Sequence, residues 1–290
     1  MRVVELSEVQ SWTGSGKGRY NEDFALVLPE EGILVLVDGA TGLTKTNICP
    51  NMSDASWYSR RLTGECARSM RDLPMGQALM QAGQRTSGKF LALPGADSLQ
   101  RIDMPNGSLS AMRWTDEVVE VAMLGDCTAV VGMRDGTSCV LHDATLDALD
   151  DLNYERMYRY AMENGVTMAQ ARVALNDRFI ENRLKMNQES GYWAADISCA
   201  GFGHELVQSF AVADVSYLFA CSDGFANAVN MGVVHSVEEL AHRTAQGEGE
   251  RIGQLLRDAE QEDAQCLRVH RSKTSDDATY AVIRFGEWLA

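Results

Sequence analysis

Short, dense apolar runs punctuate this chain and are set apart by polar turns. Those at Ala25–Leu28, Ile33–Val37, Val118–Leu124, Ala129–Met133, Val207–Val212, Tyr217–Cys221 and Thr279–Phe285 are β-branched or alternate with polar positions, which predicts strands. Arg134-Asp135-Gly136-Thr137 predicts a hairpin turn from Ala129–Met133 into a further strand at Ser138–Leu141. Helices are predicted over Asp54–Arg71, capped by Ser53 or Asp54, and over Met75–Leu91. A second helical block runs from Leu152 to Lys185, broken near Gly165, where Thr167 can cap the next helix. Two more helices fill Val237–Ala245 and Glu250–Asp263. Strands and helices arrive in blocks, without regular βαβ alternation. That order predicts an α+β sandwich of antiparallel sheets packed together, with helices outside.

Composition narrows the classes. The chain has 290 residues, 45% of them hydrophobic, which is enough to bury a sizeable core. With five prolines, no low-complexity linker and no internal repeat, residues 1–290 read as a single domain with helical insertions. A net charge of -15 argues against nucleic acid and anionic membrane surfaces as partners, because both select for Lys and Arg. No stretch approaches the length of a membrane span, and Met1–Val9 lacks the basic-then-apolar order of a targeting segment. Cys49, Cys66, Cys127, Cys139, Cys199, Cys221 and Cys266 form no C-x-x-C pair, and their odd number fits a reduced, cytoplasmic setting.

Five acidic sites stand at the edges of apolar runs or glycine turns. Asn21-Glu22-Asp23 precedes Phe24-Ala25-Leu26-Val27, and Asp38-Gly39 follows Ile33–Val37. Gly125-Asp126 follows Val121–Leu124, and Asp223-Gly224 follows Tyr217–Ser222. Asp276-Asp277 precedes Ala278–Ile283. Carboxylates at the ends of buried strands are costly unless they are paired, hydrogen-bonded or bound to metal. Taken singly, each is an ordinary turn. Taken together, they form an oxygen-rich set of the kind that suits Mg²⁺ or Mn²⁺.

These five motifs, in this order, resemble the metal-dependent protein phosphatases of type 2C, the PPM family. The family's Asn/Met-Glu-Asp is similar to Asn21-Glu22-Asp23, and its Asp-Gly to Asp38-Gly39. Its Gly-Asp-Ser resembles Gly125-Asp126-Cys127, its Ser-Asp-Gly matches Ser222-Asp223-Gly224, and its Asp-Asn/Asp-x-Thr matches Asp276-Asp277-Ala278-Thr279. The resemblance implies a four-layer α-β-β-α sandwich around two Mn²⁺ or Mg²⁺ ions. It implies that Asp38 bridges them, that the Gly39 carbonyl adds an oxygen, and that Asp223 and Asp276 complete one shell. Glu22 and Asp23 would bind metal directly or through water, Asp277 would stand beside the centre, and Asp126 would help to hold a third ion, as in some members. The implied activity is metal-dependent hydrolysis of phosphoserine and phosphothreonine in proteins, without a covalent phosphoenzyme. A phosphorylated protein is then the substrate and a cognate Ser/Thr kinase a candidate partner. Residues 143–203 fall where the family carries a flap, which is expected to shape substrate choice.

Three family positions differ, the smallest change being Cys127 in place of the third motif's Ser. The Arg expected four residues before Glu22 is Gly18, which leaves Arg19 as the candidate phosphate clamp. The His expected two residues after Asp38 is Ala40, as in many bacterial-type members. These departures keep open an alternative, a non-catalytic protein of the same fold that binds a phosphoprotein or kinase. A phosphatase for small phosphorylated metabolites shares the chemistry. Gly14-Ser15-Gly16-Lys17-Gly18 lacks the spacing of a nucleotide phosphate loop, and the five histidines form no zinc motif.

Overall fold

The computed structural model describes residues 6–16, 18–44 and 46–286. Met1–Glu5, part of the segment read for targeting, and Lys17 of the glycine turn lie outside the described residues. The chain runs β1 (Leu6–Gly14), β2 (Phe24–Leu28), β3 (Ile33–Ala40), α1 (Asp54–Met70), α2 (Met75–Leu91), β4 (Asn106–Trp114), β5 (Val118–Leu124), β6 (Thr128–Met133) and β7 (Ser138–Leu141). It continues through α3 (Thr145–Asn164), α4 (Met168–Ala174), α5 (Asn176–Leu184), β8 (Ala195–Asp196), β9 (Leu206–Ala211), β10 (Val215–Cys221), α6 (Asp223–Ala226), α7 (Val237–Arg243), α8 (Gly249–Glu262) and β11 (Ala278–Phe285).

The strands form two antiparallel sheets, ordered β1-β11-β10-β6-β7 and β2-β3-β4-β5-β9, with the short β8 paired to β4. Strand β3 shows why the layers stack. Leu34 and Leu36 face the opposing sheet, where they pack in a core with Met112, Val131, Leu218 and Ile283. Ile33, Val35 and Val37 face the other way and pack against Tyr58, Leu62 and Leu79 of α1 and α2. A strand buried on both faces reads as a continuous apolar run. The far side repeats the plan, with Phe219 and Val282 packed against Leu240, Ile252 and Leu256 of α7 and α8. The result is the α-β-β-α order expected from the sequence.

The caps follow side-chain chemistry. Ser53 Oγ accepts from the Ser56 amide at 3.0 Å and starts α1. Thr167 and Gln170 form a reciprocal capping box at the start of α4. Three points differ from expectation. Strands β1, β4 and β8 were not predicted, α3 begins at Thr145 rather than Leu152, and a π turn at Thr244–Glu248 joins α7 to α8. Helices α3 and α4 gather Met157, Ala161, Met168 and Ala171 into a separate small cluster with Cys266.

Candidate functional site

Antiparallel order brings the acidic motifs to one end of the sandwich. Strand β2 starts where β3 ends, with Phe24 opposite Val37, so Glu22-Asp23 lies beside Asp38-Gly39. The Gly39 amide donates to the Glu22 carbonyl at 3.2 Å. Strand β4 starts at the same end with Ser108 opposite Asp38, and β5 ends there and passes into Gly125-Asp126. In the second sheet, Cys221 at the end of β10 pairs with Tyr280 near the start of β11, which sets Asp223 close to Asp276. Ser222 ties the two sheets together. Its hydroxyl donates to Asp23 Oδ2 at 2.8 Å and accepts from the Thr279 amide at 2.9 Å.

Close backbone approach fixes two glycines. A Cβ on Gly39 would stand 2.7 Å from the Glu22 carbonyl oxygen, and one on Gly224 would stand 1.9 Å from that of Asp277. Both glycines directly follow an aspartate of the cluster, so the turn chemistry and the packing of the carboxylates are one constraint.

The cluster is strained electrostatically. Burial pushes the Asp23 carboxyl up to about 7, against the hydrogen bonds from Ser222 and Thr279, and Asp276 and Asp277 add to the rise. Asp23 Oδ1 is buried without a hydrogen-bond partner. Burial raises Asp38 well above the carboxylate range, and Asp23, Asp223, Asp126 and Asp276 push the same way. Asp223 opens onto a cavity, yet loss of surrounding water and the Asp276 charge still raise it, opposed by a hydrogen bond shared with Asp38. Asp126 is raised by burial and lowered in part by the Ser108 hydroxyl.

Not every candidate takes the same place. Asp277 Oδ1 accepts from the Gly16 amide at 2.7 Å and Oδ2 from the Glu22 amide at 2.8 Å, so this carboxylate holds the loop before β2. Glu22 accepts from the Thr41 hydroxyl. Arg19 is exposed, and its guanidinium lies 5.1 Å from the centroid of the Tyr20 ring, clear of the carboxylates' ion pairs. Sequence reasoning missed Ser222 as a link between sheets, and it missed Arg183, Lys273 and His142. Arg183 reaches from α5 to the Thr41 carbonyl at 3.2 Å, which joins the 143–203 segment to the loop after β3. Lys273 Nζ pairs with Asp276 Oδ1 at 2.5 Å.

A cavity of about 770 Å³ opens over this end, lined in part by Asp126, His142, Asp150, Asp223, Lys273 and Asp276. Among the described residues, no three carboxylate, thiol or imidazole groups close into a ready cage. Burial keeps the nearby Cys127 and Cys221 thiols protonated, which leaves the carboxylate oxygens of Asp23, Asp38, Asp223 and Asp276 as the donor set. That set fits Mg²⁺ or Mn²⁺, which retain several waters and need few direct protein ligands.

His142 edges the same cavity. Its Nε2 pairs with Asp147 Oδ2 at 2.6 Å, and that hydrogen bond raises the imidazole's affinity for its proton against partial burial. A raised value stabilises the fold below the unfolded His range, and the benefit fades as pH rises through the folded value. Because Asp147 is 48% exposed, His142→Gln is expected to lose only about 0.5–1 kcal/mol. Urea unfolding at pH 5.5 and 8.5 checks this; a gap between wild type and variant of equal size at both would contradict it.

No protein-family model matches the chain, and no curated protein matches it in sequence. Solved structures do match in shape. The catalytic domain of the serine/threonine protein phosphatase PstP, in complex with two manganese ions, is 13% identical, with 97% of this chain and 98% of that one covered at a TM-score of 0.53. Serine/threonine phosphatase Stp1 from Staphylococcus aureus is 14% identical, with 99% and 98% covered at a TM-score of 0.55. PppA, a key regulatory component of T6SS in Pseudomonas aeruginosa, is 14% identical, with 98% and 99% covered at 0.54. At these identities the likeness is one of fold, and the fold is that of the type 2C phosphatases.

Proposed function

We propose that this chain is a metal-dependent phosphatase of the type 2C kind that hydrolyses phosphoserine and phosphothreonine in proteins. The observation that carries this reading is the convergence of Asp23, Asp38, Asp126, Asp223 and Asp276 from both sheets at one end of the sandwich, where Asp126, Asp223 and Asp276 line a cavity and Asp23 Oδ1 is buried and unpartnered. Asp38, Asp223 and Asp276 would hold two Mn²⁺ or Mg²⁺ ions with the Gly39 carbonyl. Asp23 and Glu22 would orient their waters, and Asp126 would serve a third ion. When bound, such ions supply positive charge to the phosphoryl oxygens and a water of lowered pKa.

The chain's own residues prepare that setting. Ser222 fixes Asp23 across the sheets, and Thr41 fixes Glu22. Asp277 anchors the loop that leads into β2. Arg183 joins the helical segment to the rim of the site. That segment acts as a flap over the cavity and contributes to substrate choice. Cys49, Cys66, Cys127, Cys139, Cys199 and Cys221 are free thiols, which supports a reducing, cytoplasmic setting, and no helix among the described residues is long and apolar enough to cross a membrane. A phosphorylated protein is the substrate, with the kinase that phosphorylates it as a further partner.

A second reading rests on Arg19. Its guanidinium lies over Tyr20, and Ala40 replaces the family's His, as expected for a phosphoprotein-binding regulator without turnover. One experiment separates the two. Turnover of a phosphothreonine peptide is expected with Mn²⁺ and is expected to vanish on chelation. Tight Mn²⁺ binding without turnover of the peptide or of an aryl phosphate would favour the regulator.

A further inference from the structure

Lys273 lies on the loop between α8 and β11, three residues before Asp276. The loop is pinned on both sides of it. Arg271 Nη1 pairs with the Asp263 carboxylate at 2.6 Å, its Nη2 donates to the Asp263 carbonyl at 2.8 Å, and its Nε donates to the Thr274 carbonyl at 3.1 Å. Thr274 Oγ1 donates to the Ala264 carbonyl at 3.0 Å. The lysine stem therefore starts from a fixed point. Its ammonium meets Asp276 Oδ1 at 2.5 Å, on an oxygen that also accepts from the Asp277 amide at 2.8 Å. Among the described ion pairs, this is the one that enters the carboxylate cluster.

We propose that Lys273 is a tethered cation that competes with divalent metal for Asp276 and so lowers the metal affinity of the site. The inference rests on the two-metal reading above. An ammonium and a hydrated Mn²⁺ seek the same carboxylate oxygen, and the two positive charges repel each other when both are near. The ion carries twice the charge and accepts several oxygens at once, so it displaces the ammonium once its concentration is high enough. The displaced lysine has somewhere to go, because its side chain is 53% exposed on the cavity side. Metal occupancy then becomes graded with free cation instead of permanent, and the protein without metal keeps a counter-charge for Asp276.

Calorimetric titration of metal-free protein with Mn²⁺ alone tests this without reference to turnover. Lys273→Met is expected to bind Mn²⁺ roughly fivefold tighter than wild type, the scale of one lost competing charge in a half-exposed setting. Lys273→Arg, which keeps the charge, is expected to stay within about threefold of wild type. The melting temperature of metal-free Lys273→Met should fall, while that of the Mn²⁺-loaded variant should match or exceed wild type. A residue with a merely structural role would move both down. Should Lys273→Met not fold without metal, it can be purified with Mn²⁺ and stripped with increasing chelator; its half-point is then expected at higher chelator than wild type. Equal or weaker Mn²⁺ affinity in Lys273→Met overturns the competition. Absence of Mn²⁺ binding in wild type and variant alike overturns the two-metal reading itself.

Discussion

Replacing Asp38 with Asn is expected to lower Mn²⁺-dependent phosphate-ester hydrolysis by roughly three orders of magnitude, while the metal-free protein becomes more stable. Asp38 lies near the end of β3 directly opposite Ser108, with Asp23, Asp223, Asp126 and Asp276 all acting against its charge. Burial opposes the charge first, and the four neighbours reinforce that effect. Asn keeps the shape and removes the charge, so the repulsion in the metal-free cluster drops and stability rises by about 1–2 kcal/mol. On the proposed two-metal reading, the same change removes a carboxylate that would be shared by the ions, and with it part of the charge that would hold them. The two signs must be opposite. A carboxylate that only braced the fold would lose stability and activity together. Thermal unfolding in chelator, beside turnover of a phosphothreonine peptide in Mn²⁺, decides the matter. Activity within tenfold of wild type, or a lower melting temperature without metal, would contradict the assignment.

Among the strands that were legible, β3 shows the plainest signal because it is buried on both faces. Ile33–Val37 is apolar at every position because one face packs on the opposing sheet and the other on α1 and α2. Strand β4 was not legible although it lies at the centre of its sheet, between β3 and β5. Its first half, Asn106-Gly107-Ser108-Leu109-Ser110-Ala111, is small and polar. The Cβ of Gly107 would come within 2.4 Å of the Asp38 carbonyl, so the position is held small by its neighbour rather than by strand propensity. Strand β1 escaped for the opposite reason. It is an edge strand paired with β11, and its Trp12 packs near Phe225 and Tyr280. One aromatic residue among polar neighbours carries no period.

The acidic positions were legible because each interrupts or ends an apolar run, a local signal. Their partners were not, because those contacts span the chain. Ser222 and Asp23 meet across 199 positions, and Asp277 reaches Gly16 across 261. Asp276 and Asp277 look alike in sequence and separate only in the fold. One faces Lys273, and the other gives both oxygens to the amides of Gly16 and Glu22. Arg19 shows the limit of motif spacing as a guide. Displaced by one position from where the family's Arg stands, its guanidinium lies over the neighbouring Tyr20.

Asp263→Asn is expected to produce the largest loss of stability among single changes outside the cluster. At the end of α8, Asp263 Oδ1 accepts from the amides of Leu267 and Arg268, both at 3.0 Å, and Oδ2 accepts from the Val269 amide at 3.1 Å and from Arg271 Nη1 at 2.6 Å. Burial alone would raise this carboxyl, but the Arg268 amide, the Arg271 guanidinium and the Val269 and Leu267 amides outweigh it and hold it at about 2. An amide in its place cannot accept with both atoms, and it leaves Arg271, only 8% exposed, as a buried charge without its counter-ion. That situation costs about 3–5 kcal/mol. The sign with pH follows from the lowered value. The stabilisation is full above the unfolded Asp range near pH 4 and is lost as pH falls through the folded value near 2, so the gap to wild type should narrow by roughly 2–3 kcal/mol over that window. Denaturant unfolding at pH 7 and pH 3 reads both. A gap below about 1 kcal/mol at pH 7, or one that does not narrow at pH 3, would show that the carboxylate is not the anchor. Joining Asp263→Asn to Arg271→Met should recover part of the loss, because the pair then leaves together and no charge stays buried alone. Since this anchor also fixes the loop bearing Lys273 and Asp276, Asp263→Asn should weaken Mn²⁺ binding as well, whereas Lys273→Met should strengthen it. The two variants thus pull the same site in opposite directions, one by loosening its frame and the other by removing its competitor.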